Sequence, residues 1–238
     1  MTSTKFRIVT WNCNGGKFEK KYPYITELIP DPDITIIQEI AQPKIPIPNC
    51  IWTPSSTPTK GVAVTTRNGF SVMPHPIDPD APIVFVPVII RGPVEFHLLA
   101  VWTQKNGKYV DSFRNVFDRY HEFLHEKSSV IAGDFNSNAI WNHEHKIMNH
   151  SKVVEYCVRE LGLVSSYHKK ISADHGKEEH PTIYWQHNRA KPYHIDYCFV
   201  PESWEIDNVE IGTFDDWHDK SDHCPVIVDV SVNTEKSV

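Results

Sequence analysis

Apolar residues fall in short runs along this chain, not in long helical stripes. Runs with strand character are Phe6–Trp11, Ile34–Gln38, Gly61–Thr65, Ile83–Ile90, Val94–Trp102, Ser129–Ala132, Thr182–Trp185, Tyr193–Val200 and Pro225–Val230. They are rich in Val, Ile, Tyr, Phe and Thr, and Pro, Gly, Asp or Asn punctuate them. Glu95 and His97 alternate with Val94, Phe96 and Leu98, which predicts a sheet with one wetter face. Pro87 has no N–H for a ladder, so its run should be an edge strand or carry a bulge.

Helical periodicity is confined to three places. From a Ser112 cap to about Glu126, Phe113, Val116, Phe117, Tyr120, Phe123 and Leu124 recur at helical spacing. From a Ser151 cap, Val153, Val154, Cys157, Val158 and Leu161 share a face, and Gly162 stops the helix. A weaker pattern spans Glu19–Ile29 and ends at Pro30. The proline-rich stretch 42–58 and the polar, His- and Lys-rich stretch 166–181 read as irregular. No repeat or linker divides the chain. The expectation is one domain over residues 1–238, an α/β unit of packed sheets with outer helices.

Composition narrows the class. Of 238 residues, 40% are hydrophobic and 23% charged, with a formal charge of −6, which is ordinary for a globular chain. No run of about 18 apolar residues exists, so no membrane helix is expected. The N-terminus lacks the apolar core of a signal peptide, so the protein is read as cytoplasmic with no membrane partner. Cysteines 13, 50, 157, 198 and 224 are scattered and form no C-x-x-C, which argues against a disulfide framework or a thiolate zinc site. The acidic balance argues against broad coating of nucleic acid but leaves room for a local basic cleft.

The polar residues at strand ends carry the chemistry. Asn12 ends the first strand and Gln38-Glu39 the second. Asp134 and Asn136 follow Ser129–Ala132, Asp196 lies within Tyr193–Val200, and Ser221-Asp222-His223 precede the last strand. A carboxylate where an apolar strand opens into a loop faces a cleft half buried. Several at one sheet end make an oxygen-rich cage of the kind hard cations such as Mg²⁺ prefer. Singly, each has a plain reading: Asp134 as a turn residue, Glu39 as a solvated strand end, Asp222-His223 as a surface pair. Asp196 is harder to dismiss, because an unpaired carboxylate inside a strand is costly.

Thr10-Trp11-Asn12-Cys13-Asn14-Gly15, Ile37-Gln38-Glu39, Gly133-Asp134-Phe135-Asn136-Ser137, His194-Ile195-Asp196-Tyr197 and Ser221-Asp222-His223-Cys224-Pro225 occur in that order. Together they resemble the endonuclease/exonuclease/phosphatase superfamily of metal-dependent phosphoesterases, over nearly the whole chain. The resemblance implies an α/β fold, a four-layer α/β/β/α sandwich of two packed mixed sheets with outer helices. It implies Mg²⁺, with Mn²⁺ as an alternative, held by Glu39 with Asn12 close by and with Asp222 directly or through water. It implies that Asp196 orients His223, that Asp134 orients or deprotonates the attacking water, and that Asn136 holds a phosphate oxygen. Which of Asp134 and His223 takes the proton is left open.

Three positions depart from the superfamily pattern. Asn14 stands where many of its nucleases have Asp. Trp102 stands near the place of a phosphate-contacting His or Tyr, and is read as a cleft wall or a single N–H donor. His194 stands where relatives often carry Arg. Lys105 with Lys108, and Arg189 with Lys191, are the candidates for phosphate steering. Tyr193, with Tyr184 and Trp185, is a candidate for stacking on a base or sugar. The fourteen histidines match no zinc spacing and are read as mostly solvated or capping, with His143 or His145 as cleft-lining candidates.

The leading expectation is a Mg²⁺-dependent phosphodiesterase on nucleic acid, DNA in the first place. The runner-up is a phosphatase or diesterase on a small phosphorylated molecule such as a nucleotide or inositol phosphate. A non-catalytic binding module on the same scaffold is the alternative of another class.

Overall fold

The computed structural model describes residues 2–82, 84–104 and 109–234. The strands are β1 (Thr2–Asn12), β2 (Ile34–Ile40), β3 (Cys50–Pro54), β4 (Gly61–Thr66), β5 (Ser71–Pro74), β6 (Phe85–Arg91), β7 (Phe96–Trp102), β8 (Ser129–Asp134), β9 (Leu163–Ser165), β10 (Ile183–Tyr184), β11 (Pro192–Tyr193), β12 (Asp196–Pro201), β13 (Glu205–Ile211) and β14 (Val226–Thr234). The α-helices are α1 (Phe18–Leu28), α2 (Asp111–Arg119), α3 (His121–Glu126), α4 (His150–Arg159), α5 (Ser166–Ile171) and α6 (Phe214–Trp217).

Twelve of these strands form two six-stranded sheets, ordered β13-β14-β1-β2-β4-β3 and β5-β6-β7-β8-β12-β9. Each sheet has one parallel pair at its centre, β1 with β2 and β7 with β8, flanked by antiparallel neighbours. Parallel neighbours need a crossover, and α1 supplies one while α2 and α3 supply the other.

Strand alternation builds the layers. Phe6 and Ile8, Ile34 and Ile36, Val130 and Ala132, and Cys198 and Val200 point into one core between the sheets. The intervening residues point outward. Val9, Trp11 and Ile37 pack on Phe18 and Ile25 of α1, and Leu99, Val101, Ile131 and Phe199 pack on α2, α3 and α4. The result is the expected α/β/β/α sandwich. Each fully buried Val, Ile or Phe contributes about 1.5–3 kcal/mol of transfer free energy, so the alternation itself selects the fold.

Some elements differ from expectation. The proline-rich stretch contains the edge strand β3, and β5, β9 and β13 were not expected. Their short or polar sequences carry weak strand signals, and pairing to a longer neighbour forms them. The expected 112–126 helix breaks at Tyr120 into α2 and α3. Ser112 hydroxyl bonds back to the Tyr109 carbonyl instead of capping, and Asn149, not Ser151, caps α4 through Lys152 N. Pro87 lies inside the sheet, but its carbonyl accepts from His75 N. Its nitrogen therefore faces His75 as well, so the missing N–H falls where the β5 ladder ends. The expected start at Ile83 lies outside the described residues.

Candidate active site

The same alternation that fills the core places the polar groups. Asn12 continues the inward series Phe6-Ile8-Thr10, Asp134 continues Val130-Ala132, and Asp196 begins the series Cys198-Val200. All three reach the same end of the gap between the sheets, where each is buried. Asn12 pairs in register with Gln38, and Asp134 stands directly opposite Asp196 and beside Trp102. Gln38 itself is fully buried and donates to Thr10 Oγ1.

Local backbone conformations complete the placement. Glu39 sits at a register shift between Gln38 and Ile40 with φ of 62°, which turns it out of the strand. Gly133 has φ of 145°, and a Cβ there would come 1.9 Å from the Val101 carbonyl oxygen. Only glycine lets β8 lie this close to β7 just before Asp134. Asn136 takes φ of 45°, left-handed backbone that Asn tolerates. This folds its N–H back onto Asp134 Oδ1 at 2.8 Å.

Asn12 bridges two carboxylates through one amide nitrogen. Its Nδ2 lies 2.9 Å from Asp134 Oδ2 and 3.1 Å from Glu39 Oε1, while its Oδ1 accepts from Asn14 N at 2.9 Å. Asn12 thus offers its nitrogen to the two carboxylates and one lone pair of its oxygen to Asn14 N. Asn136 Nδ2 is likewise committed to Asp134 Oδ2 at 2.9 Å and Thr103 O at 3.1 Å. It shapes Asp134 instead of leaving an amide for phosphate.

His223 Nδ1 lies 2.9 Å from Asp196 Oδ2. Ser221 hydroxyl donates to Asn12 O and accepts from His223 N, which ties this turn to β1. Thr182 Oγ1 accepts from both Ile195 N and Asp196 N, and so fixes Asp196. One atom of each of Asp134, Asp196 and His223 lies within 4.8 Å of the others. Two carboxylates opposed on adjacent strands repel, and the imidazole between them offsets this. Burial would lower the His223 pKa, but the charge and hydrogen bond of Asp196 raise it to about 10. Burial and the charge of Asp196 push Asp134 up to about 7. Asp196 Oδ1 is buried with no partner among the described residues.

Glu39 is half-buried and paired with Lys60 Nζ at 2.6 Å. Lys21, whose pKa burial lowers, also feels the charges of Asp222 and Glu39. Lys21 is held by the Cys13 carbonyl at 2.7 Å and by the Lys220 carbonyl. Gly15 and Gly16 make room for both lysines: a Cβ would meet Lys60 Cε at 3.1 Å and Lys21 Cε at 2.8 Å. Carboxylate oxygens such as those of Glu39 suit a hard divalent cation, and Lys60 holds the Glu39 carboxylate that such an ion would take. Neither lysine was singled out from the sequence, although Lys60 directly precedes a strand. Tyr109 was also missed. Burial, and then the charges of Asp134 and Glu39, raise its phenol pKa.

Other expected site residues stand elsewhere or are otherwise engaged. Trp102 is buried in the inter-sheet core, where strand alternation sends it, and stands in register beside Asp134. Arg189 is paired with Asp215 at 2.9 Å and lies over Phe214, so its charge is already compensated. His194 is buried with Nδ1 on the His180 carbonyl and lines no open surface. Lys191 is exposed, and Tyr193 packs against Trp141 at 5.2 Å. Asn14 is exposed, with Nδ2 3.5 Å from His187 Nε2. His143 is exposed, and His145 has a buried Nδ1 without a partner among the described residues. Lys105 and Lys108 lie outside the described residues.

The Endonuclease/Exonuclease/phosphatase family model matches residues 9–223. The chain belongs to this family. No curated protein matches significantly. Among solved structures with the family's fold, a 3'-5' exonuclease (NExo) from Neisseria meningitidis is similar at a TM-score of 0.65 and 19% identity, over 94% of this chain and 98% of that one. The AP endonuclease LMAP from Leishmania major is similar at a TM-score of 0.68 and 11% identity, over 96% and 88%. A family protein from Bacteroides thetaiotaomicron gives 0.64 and 16%, over 98% and 100%. Among the described residues no helix is long and apolar enough to cross a membrane.

Proposed function

We propose that this family member is a divalent-metal-dependent phosphodiester hydrolase acting on nucleic acid, DNA in the first place. The observation that carries this reading is the convergence of Asn12–Glu39, Asp134–Asn136 and Asp196–His223, from remote segments, at one end of the sandwich. The neighbours support it: one solved relative is a 3'-5' exonuclease, another an AP endonuclease, and a NExo variant is seen bound to a product DNA hairpin.

Glu39 and Asp222 would hold Mg²⁺ or Mn²⁺, which when bound supplies Lewis-acid stabilisation of charge developing on the phosphate. Asn12 is the bridge that keeps Glu39 and Asp134 at fixed separation. Asp134, with a pKa near neutrality, accepts the proton of the attacking water. Asn136 and Asn12 aim its carboxylate. Asp196 holds the His223 ring by Nδ1 and keeps it imidazolium, so Nε2–H donates to a phosphate oxygen as negative charge grows. The five cysteines are free, which supports work in a reducing compartment such as the cytoplasm.

A small phosphorylated substrate is the second reading, favoured by the net charge of −6 and by the tie between Arg189 and Asp215. A panel of abasic, nicked and single-stranded DNA, 3'-phosphorylated DNA ends, nucleotides and inositol phosphates, each with Mg²⁺, tests the proposal. Turnover of at least one DNA substrate well above the small molecules supports it. Turnover confined to small molecules favours the second reading, and no hydrolysis with either ion refutes both.

A further inference from the structure

A second cluster of ligating side chains lies outside the hydrolytic site. It gathers His168 of α5, His175 and Glu178 of the following segment, and His150 at the start of α4. One ligating atom of each of His168, His175 and Glu178 lies within 4.8 Å of the others. His168 Nε2 is 3.0 Å from Glu178 Oε1, and His150 Nε2 is 3.2 Å from His175 Nδ1. Two ligands at ordinary zinc distances in a tetrahedral shell stand about 3.3 Å apart. Each pair therefore has the spacing of neighbouring ligands, and His150 joins the group through His175.

The far side of three of these four groups is already fixed. His168 Nδ1 pairs with Ser165 Oγ at 2.7 Å, and His150 Nδ1 with Ser137 Oγ at 3.0 Å. Each hydroxyl occupies Nδ1 and leaves Nε2 toward the cluster, the arrangement that orients metal-bound imidazoles. Asn138 Nδ2 takes Glu178 Oε2 at 3.1 Å and leaves Oε1 inward. A further imidazole, His194, lies 5.9 Å from His168 by ring centroid and has a buried Nε2 without a partner among the described residues. Hydrolysis uses none of these rings, and a buried imidazole nitrogen without a partner, as in His194, is costly.

We propose that His150, His168, His175 and Glu178 form a second metal site, for Zn²⁺ or a similar first-row transition ion. Three imidazoles and one carboxylate are a donor set for such ions and a poor one for Mg²⁺. The His168 and His175 rings stack at 3.5 Å. A bound metal lies in the plane of its imidazole, so loading turns His175 off His168. The ion has a structural role. It clamps the 166–178 segment onto Ser137 and Asn138, just beyond Asn136, and steadies Thr182, which fixes Asp196.

The test measures metal, not turnover, so it stands apart from the hydrolase reading. Chelator-stripped wild type, His175→Ala and Glu39→Gln proteins are titrated with Zn²⁺ in excess Mg²⁺, with thermal unfolding followed in parallel. Co²⁺ is added separately for its visible spectrum. His175 is only partly buried, and circular dichroism checks that its variant folds. The expected result is one tight equivalent in wild type and Glu39→Gln, a higher Tm on loading, a tetrahedral Co²⁺ spectrum, and at least a tenfold affinity loss in folded His175→Ala. No tight equivalent in wild type, or equal uptake by His175→Ala, overturns the proposal. So does uptake that Glu39→Gln abolishes.

Discussion

Asn12 of one sheet donates to Asp134 of the other at 2.9 Å, so a single amide spans the gap between the two sheets of the sandwich. The same nitrogen reaches Glu39. Replacing Asn12 with Ala removes both bonds and leaves a buried carboxylate short of a donor. The expected outcome is a fall in kcat on the order of 10²-fold, with the acid limb of the pH profile moved to higher pH. Steady-state kinetics across pH checks this. An unchanged acid limb would show that Asn12 does not shape Asp134.

The site's two shifted groups set the pH dependence. Asp134 works ionised and titrates near 7, so activity falls as pH drops below about 7. His223 works protonated and titrates near 10, so activity falls as pH rises past about 10. The profile of kcat/KM is therefore a bell. Bound cation shifts the acid limb downward. Asp196→Asn removes the partner that raises His223, so the alkaline limb moves toward neutrality and kcat drops about 10²–10³-fold. The His223 proton also stabilises the fold. That contribution is complete below its unfolded value of 6.5 and is lost as pH rises toward about 10.

Lys60 occupies the Glu39 carboxylate and competes with a divalent ion for it. Lys60→Met should lower the Mg²⁺ concentration for half-maximal activity several-fold. A titration of rate against Mg²⁺ measures this, and a higher half-maximal concentration would contradict the competition.

Gly133 tests the link from backbone to site. A methyl group at this position meets the Val101 carbonyl, so Gly133→Ala should destabilise by more than about 2 kcal/mol. Denaturant unfolding gives the number. A loss under about 0.5 kcal/mol would mean that the strands part without cost.

Strand alternation made much of this legible in the sequence. Val130-Ala132-Asp134 places a carboxylate inward in the β8 run, and Asp196 before Cys198 and Val200 does the same. Alternation also sends Trp102 inward, to a place in register with Asp134. The unread parts depend on long-range geometry. The Asn12 amide could face either way until Asn14 N took its oxygen. Arg189 appeared free until α6 brought Asp215 to it. Tyr109 follows β7 through a loop whose path no periodicity encodes. The histidine cluster draws on α4, α5 and the segment after it, so no linear spacing announces it.

The central claim is that Glu39 anchors a divalent ion in a hydrolytic site organised by Asn12, Asp134 and His223. The most direct measurement is single-turnover cleavage of a DNA substrate by EDTA-treated protein as Mg²⁺ is restored, for wild type and Glu39→Gln. Saturable recovery in wild type, with the variant slower by about 10²-fold or more and needing far more Mg²⁺, is the predicted result. Full cleavage without any divalent ion, or equal Mg²⁺ dependence in both proteins, would contradict it.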